Sequence, residues 1–167
     1  MSIQKLVEAP DQDAQLSVSN YVEAIALIER LHRLLLDVIK DEFERLGRLD
    51  INSVQALLLY NIGDNEVTAG ELKSRGYYQG SNVSYNLKKL VEGGYMHHQR
   101  CEIDRRAVRI RLTDEGRKVR QIVAELFDRH SAKLATREEF AADGMGKVIR
   151  DLRGMERFWS EQIRYIY

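Results

Sequence analysis

Gly80-Ser81-Asn82-Val83-Ser84-Tyr85-Asn86-Leu87-Lys88-Lys89-Leu90-Val91-Glu92-Gly93-Gly94-Tyr95 changes its period at the double glycine. Up to Glu92 the apolar residues Val83, Leu87, Leu90 and Val91 share one side of a helix at about 100° per residue. The opposite side presents Ser81, Asn82, Tyr85, Lys88 and Lys89, with Ser84 at its flank. Beyond Gly94 the period becomes two. Val108, Ile110 and Leu112 alternate with Arg109 and Arg111, as in a half-buried strand, and Tyr95 to Cys101 can pair with them. The link between the two strands, Glu102-Ile103-Asp104-Arg105-Arg106, makes a hairpin with two adjacent arginines at its tip.

From Gly47 to Gly94 the glycines cut the chain into short pieces, since seven of the eleven in the chain fall in that span. Asn52 to Ile62 opens with Asn-x-x-Gln and stops at Gly63. Thr68-Ala69-Gly70-Glu71 is a capping box for a second helix that stops at Gly76. Three short helices followed by a hairpin is the order of a winged helix-turn-helix, whose third helix enters the major groove. The expected roles follow from side-chain chemistry. Ser81, Asn82 and Tyr85 suit base edges, with Ser84 at the flank of the same recognition helix, and Lys88 and Lys89 suit phosphates. At the wing, Arg105 and Arg106 suit a narrow minor groove, with Asp104 orienting a guanidinium.

Long helices flank this lobe. Apolar residues recur at spacings of three and four from Tyr21 through Leu46, with Asn20 and Glu23 as a capping box and Gly47 as a stop. Thr113 caps a connecting helix over 113–135. A last helix starts at Thr136 with Glu139 as box partner, breaks near Gly144-Met145-Gly146, and continues through Val148, Leu152, Met155, Trp159 and Ile163. The apolar faces of the first and last helices are wider than one chain can cover. Residues 17–46 and 137–167 are therefore expected to dimerise through Tyr21, Ile25, Ile28, Met155, Phe158, Trp159 and Ile163. The polar, aperiodic residues 1–16 read as a flexible arm, and residues 50–112 as the DNA-binding lobe. The fold class is mainly α with a small β-hairpin wing.

Composition bounds the function. The chain has 167 residues, 44% hydrophobic and 31% charged, with no apolar run of membrane-spanning length. Its N-terminus shows no secretory h-region, so a cytoplasmic protein without membrane contact is expected. Net charge is zero, but its distribution is uneven. Residues 1–50 carry −4, residues 51–74 carry −2, residues 75–120 carry +6 and residues 121–167 carry none. One window holds the whole positive excess, the footprint of a phosphate-binding surface. Cys101 is the single cysteine, which excludes an intrachain disulfide. His97 and His98 point to opposite faces of a strand, so no metal site with Cys101 is expected, and neither is any other cofactor. No phosphate loop, nucleophile elbow or Ser/His/Asp set can be placed, and an enzyme is not expected. Two alternatives stay open: a helical dimeric adaptor that binds protein partners, and a redox-sensing regulator that acts through Cys101, whose thiolate Arg100, Arg105 and Arg106 favour.

Asp104-Arg105-Arg106-Ala107-Val108-Arg109-Ile110-Arg111-Leu112-Thr113 resembles the wing signature of the MarR family of transcriptional regulators: an Asp-x-Arg tip, a strand, then Leu-Thr opening a helix. Gly80 to Tyr95 is similar to that family's recognition helix and its exit into the wing. The resemblance runs from about residue 20 to 165, is nearest to the LdtR/PetP-like branch, and departs from the pattern in a short wing and in Tyr77-Tyr78. It implies a homodimer on a pseudo-palindromic double-stranded DNA site. It also implies an effector, expected to be a small aromatic or phenolic molecule, in the crevice between dimerisation helices and DNA-binding lobe. His32, Leu35 and Tyr60 are the residues here that such a crevice would use.

Overall fold

The computed structural model describes residues 12–64, 67–68, 71, 80–100, 108–140 and 143–166. In chain order the elements are α1 (Gln12–Arg45), α2 (Ser53–Ile62), β1 (Val67–Thr68), α3 (Gly80–Glu92), β2 (Met96–Arg100), β3 (Val108–Leu112), α4 (Asp114–Ala135), a 3-10 turn (Glu138–Phe140) and α5 (Gly144–Ile166). Mainly α with a small sheet is the observed class.

α2 is apolar almost all round, as a helix enclosed on every side must be. Ala56, Leu57, Leu58, Leu59 and Ile62 are buried as it packs on both α1 and α4. Ile39 and Phe43 reach it from α1, Val119, Val123 and Leu126 from α4, and Leu87 and Leu90 from α3 join the same core. The expected start at Asn52 holds: its side chain accepts from the Gln55 amide at 2.9 Å, and Gln55 Oε1 accepts from the Asn52 amide at 3.2 Å.

The sheet has three strands in the order β1-β3-β2, all antiparallel. β3 pairs with β2 from Met96↔Leu112 to Arg100↔Val108, the expected hairpin. β1, pairing Val67 with Ile110, was not anticipated, because two residues are too few to show a period. The reciprocal bonds between Thr68 and Glu71, at 2.6 and 3.1 Å, match the expected capping box. The helix foreseen beyond it, to Gly76, lies outside the described residues.

α3 ends as the double glycine requires. The Gly94 amide donates to Val91 O at 3.0 Å and the Tyr95 amide to Leu90 O at 2.9 Å, a Schellman closure. Gly94 adopts φ +77°, which a side chain disfavours, and this turns the chain sharply from helix into strand.

Two boundaries differ from expectation. α1 begins at Gln12 rather than at Asn20, so residues 12–16 of the expected arm are helical. Nothing between Pro10 and Asn20 breaks a helix, and Asn20 merely sits inside one. Thr136 closes α4 instead of opening the last helix, and Gly144-Met145-Gly146 forms the first turn of α5 instead of a break. Gly144 is needed there, because a Cβ on it would strike the Glu139 carbonyl. One on Gly146 would meet only the end of the exposed Asp143 side chain, which can move aside.

Candidate nucleic-acid interface

α3 presents the two faces that its wheel requires. Leu87 and Leu90 are buried and Val91 is half-buried, while Ser84, Tyr85, Lys88 and Lys89 are exposed, Tyr85 to 60%. Ser81 and Asn82 occupy the first turn of the helix, but their side chains, like that of Val83, lie outside the described residues. Lys89 Nζ stands 6.0 Å from the centre of the Tyr85 ring and 3.0 Å from Glu92. Lys88 Nζ is 3.8 Å from the other Glu92 oxygen. The hydrogen bond from Lys89 holds the Glu92 carboxyl below its ordinary value and raises Lys89 in turn. Both lysines are thus paired with Glu92 on the exposed side of α3.

The wing adds a second cationic surface. Strand alternation buries Met96, Ile110 and Leu112 and leaves His97, Gln99, Arg109 and Arg111 exposed; His97 is paired with Arg111 and Gln99 with Arg109 in register. Period-two alternation marks Arg109 and Arg111 only as the exposed half of a strand; the register is what sets them beside His97 and Gln99 on the outer face. The tip residues Asp104, Arg105 and Arg106, and Cys101, lie outside the described residues.

Behind these surfaces, three segments meet at Tyr95. Its ring is buried, and its hydroxyl donates to Asp50 Oδ2. Arg48 Nε and Nη2 grip the same carboxylate at 3.1 and 3.3 Å, and Nη2 also reaches the Tyr95 hydroxyl at 3.5 Å and Glu115 at 3.1 Å. The guanidinium first, and the phenol second, depress the Asp50 carboxyl to about 2. Burial, then the bond to Asp50, pushes the Tyr95 phenol up. Nothing in the sequence announced this cluster. Arg48 and Asp50 are two apart in a loop, and Tyr95 is more than forty positions away.

The expected dimerisation residues lie on α1 and α5. Trp159 Nε1 donates to the Tyr21 hydroxyl at 2.9 Å, joining the N-terminal half of α1 to the C-terminal half of α5. Ile25, Ile28, Met155 and Trp159 are half-buried, and Tyr21, Phe158 and Ile163 are exposed. A cleft of about 490 Å³ lies along the seam, lined by Ile28, Ile149, Leu152, Met155, Trp159 and Ile163 among others. The residues expected to hold an effector are divided. Leu35 and Tyr60 pack against the core, Tyr60 edge-on to Phe127 with ring centres 4.9 Å apart, whereas His32 is exposed. Among the described residues no group of three His, Cys, Asp or Glu side chains is placed to hold a metal, and no helix is long and apolar enough to cross a membrane.

Comparison with known proteins agrees with this geometry. Residues 51–116 match a family model described as a winged helix DNA-binding domain. The exopolysaccharide II synthesis transcriptional activator ExpG of Rhizobium meliloti (strain 1021) is 35% identical over 159 residues, covering 93% of this chain and 79% of that protein. A MarR transcriptional regulator from Methanosarcina mazei Go1 superposes with a TM-score of 0.62 at 23% identity, over 83% of this chain and 98% of that one. Streptococcus pneumoniae FabT, solved in complex with DNA, superposes with a TM-score of 0.67 at 18% identity, over 85% and 99%.

Proposed function

Since this chain belongs to the MarR family of winged helix-turn-helix transcriptional regulators, DNA-binding proteins rather than enzymes, we propose that it acts as a homodimer on a pseudo-palindromic operator in the cytoplasm. In this reading α3 reads bases through Ser81, Asn82 and Tyr85, with Ser84 at the flank of the same face, and holds phosphates through Lys88 and Lys89. Arg105 and Arg106, oriented by Asp104, enter the minor groove. The observation that carries it is the exposed polar and cationic face of α3, set directly opposite the buried Leu87 and Leu90. A helix packed by one face and bare on the other is what a groove reader requires.

Two-fold pairing is supported by the apolar side chains that one chain leaves in water: Val22, Leu27 and Leu31 on α1, and Ile149, Leu152, Phe158 and Ile163 on α5. Patches of that extent mark an interface. Residues 17–46 and 137–167 then form the dimer, and residues 50–112 the DNA-binding lobe. A small aromatic or phenolic effector in the crevice beside His32, Leu35 and Tyr60 would act by favouring one spacing of the two recognition helices over another. The name of the ExpG relative makes promoters of exopolysaccharide genes the first targets to try.

Selection of bound sequences from a randomised pool tests the reading. Tyr85→Ala and Asn82→Ala should relax the selected motif at symmetric positions in two half-sites about one helical turn, roughly 10 base pairs, apart. Lys89→Ala should weaken binding to all sequences alike and leave the motif intact. An unchanged motif from Asn82→Ala and Tyr85→Ala would remove α3 as the reader.

A further inference from the structure

We propose that Tyr95, held by Asp50 and Arg48, is a positioning residue for DNA recognition, fixing the angle of the recognition helix and the wing against the end of α1. The inference rests on the assignment of α3 as reader and extends it to residues that touch no DNA.

The exit of α3, the bases of β2 and β3 and the start of α4 all meet at this residue. Tyr95 is the first residue after the Gly94 turn, so its position fixes where α3 ends. Its carbonyl accepts from the Thr113 amide at 3.1 Å, and the Thr113 hydroxyl donates to Gly94 O at 2.7 Å, which ties the bases of β2 and β3 together below the wing. α4 comes flush against the same carbonyl, because Gly116 has no side chain and a Cβ there would collide with it. At the far end of the ring, the hydroxyl is bound to Asp50 and Arg48, just past the Schellman turn that ends α1. Arg48 also reaches Glu115 in the first turn of α4. A single rigid ring thus spans from the end of the dimerisation helix to the exit of the recognition helix and the root of the wing.

Simple packing does not account for the polar half of this arrangement. Tyr95 is 7% exposed, and a phenylalanine would fill the same volume without needing a partner for a hydroxyl. The hydroxyl is aimed at a carboxylate, which is itself fixed by a bidentate guanidinium, and that geometry confers direction as well as energy. The ring packing holds the lobe together, and the hydroxyl sets its orientation relative to α1. In a dimer, the same contact on each side fixes the distance between the two readers.

The test is Tyr95→Phe, with Asp50→Asn and the double variant, in the full-length protein. Affinity for the selected operator and for unrelated duplex is measured at a temperature where every variant is folded. Tyr95→Phe should weaken operator binding about fivefold, a fraction of one charge-assisted hydrogen bond. Binding to unrelated duplex, which depends on phosphates, should stay unchanged. The double variant should be no weaker than the worse single one, since the groups act as a unit. Amide hydrogen exchange in the free protein should show lost protection at Leu90–Tyr95 and Thr113–Arg117 in each variant. Retained operator preference together with unchanged exchange would overturn the proposal, as would lowered thermal stability with operator affinity intact. If the wild type itself selects no operator, the assignment of α3 fails, and unaltered exchange at both segments would then separately refute the coupling.

Discussion

The central lobe buries its large apolar side chains within the chain, whereas the terminal helices leave many of theirs in water. In the lobe, Leu58 and Leu59 of α2, Ile110 of β3 and Val119 and Val123 of α4 are essentially inaccessible to water. On the outer faces of α1 and α5, Leu31 is 60% and Ile163 62% exposed. α1, α4 and β3 pack on α2, whereas among the described residues no element covers the outer faces of α1 and α5. The core around α2 is completed within one chain, and the exposed apolar faces of α1 and α5 are where the proposed second copy would pack.

The largest expected effect comes from attacking the unfinished half. Phe158→Asp combined with Ile163→Asp should dissociate the dimer at micromolar concentration in analytical ultracentrifugation and abolish operator binding. Burying charge in an apolar interface is prohibitive. A wild-type protein that sediments as a folded monomer would break the comparison outright.

Truncation should then separate the two regions within a single measurement. Leu59→Ala is expected to cost about 2–5 kcal/mol in denaturant unfolding, at any protein concentration. Leu31→Ala should instead change stability mainly through its dependence on concentration, because it acts on association. Equal, concentration-independent losses from both would mean that α1 is covered within one chain.

A smaller effect is expected at the wing. Arg105→Ala and Arg106→Ala should leave thermal stability unchanged and lower the salt slope of DNA binding by about 1 per contact, about 2 per symmetric dimer. Wild-type slopes in both variants would remove the tip from the interface.

The smallest concerns acid. The carboxyl of Asp50 is lowered from 3.8 to about 2 in the folded protein, chiefly by Arg48. A lowered folded value contributes stability that is present above the unfolded value and lost as the pH falls toward 2. Because the side chain is half in water, the contribution is under about 1 kcal/mol. Asp50→Asn should lower stability near neutrality by under about 1 kcal/mol and flatten the stability profile between about pH 4 and 2. An identical slope in the variant would show that Asp50 carries no linkage.

The sequence alone determined the parts whose cause is local. Asn52-x-x-Gln55 specifies a capping box wherever it occurs, Gly93-Gly94 specifies a helix stop and turn, and Val108, Ile110 and Leu112 specify a strand with one buried face. Each signal lies within a few residues of its effect, so the winged-helix order and the outward face of α3 were legible from them. Local signals misled where they competed. Thr136 and Glu139 mimic a capping box, but α5 starts later, where Gly144 lets the chain close its first turn. Only the tertiary structure decided what depends on distant partners: the pairing of β1 with β3, the seating of Tyr60 against Phe127, the bond from Trp159 to Tyr21, and the meeting of Arg48, Asp50 and Tyr95. The physical reason is the same in each case. Periodicity and capping report which side of an element is buried and where it ends, whereas the side chain that meets it comes from a remote segment, which only the packing of elements brings near.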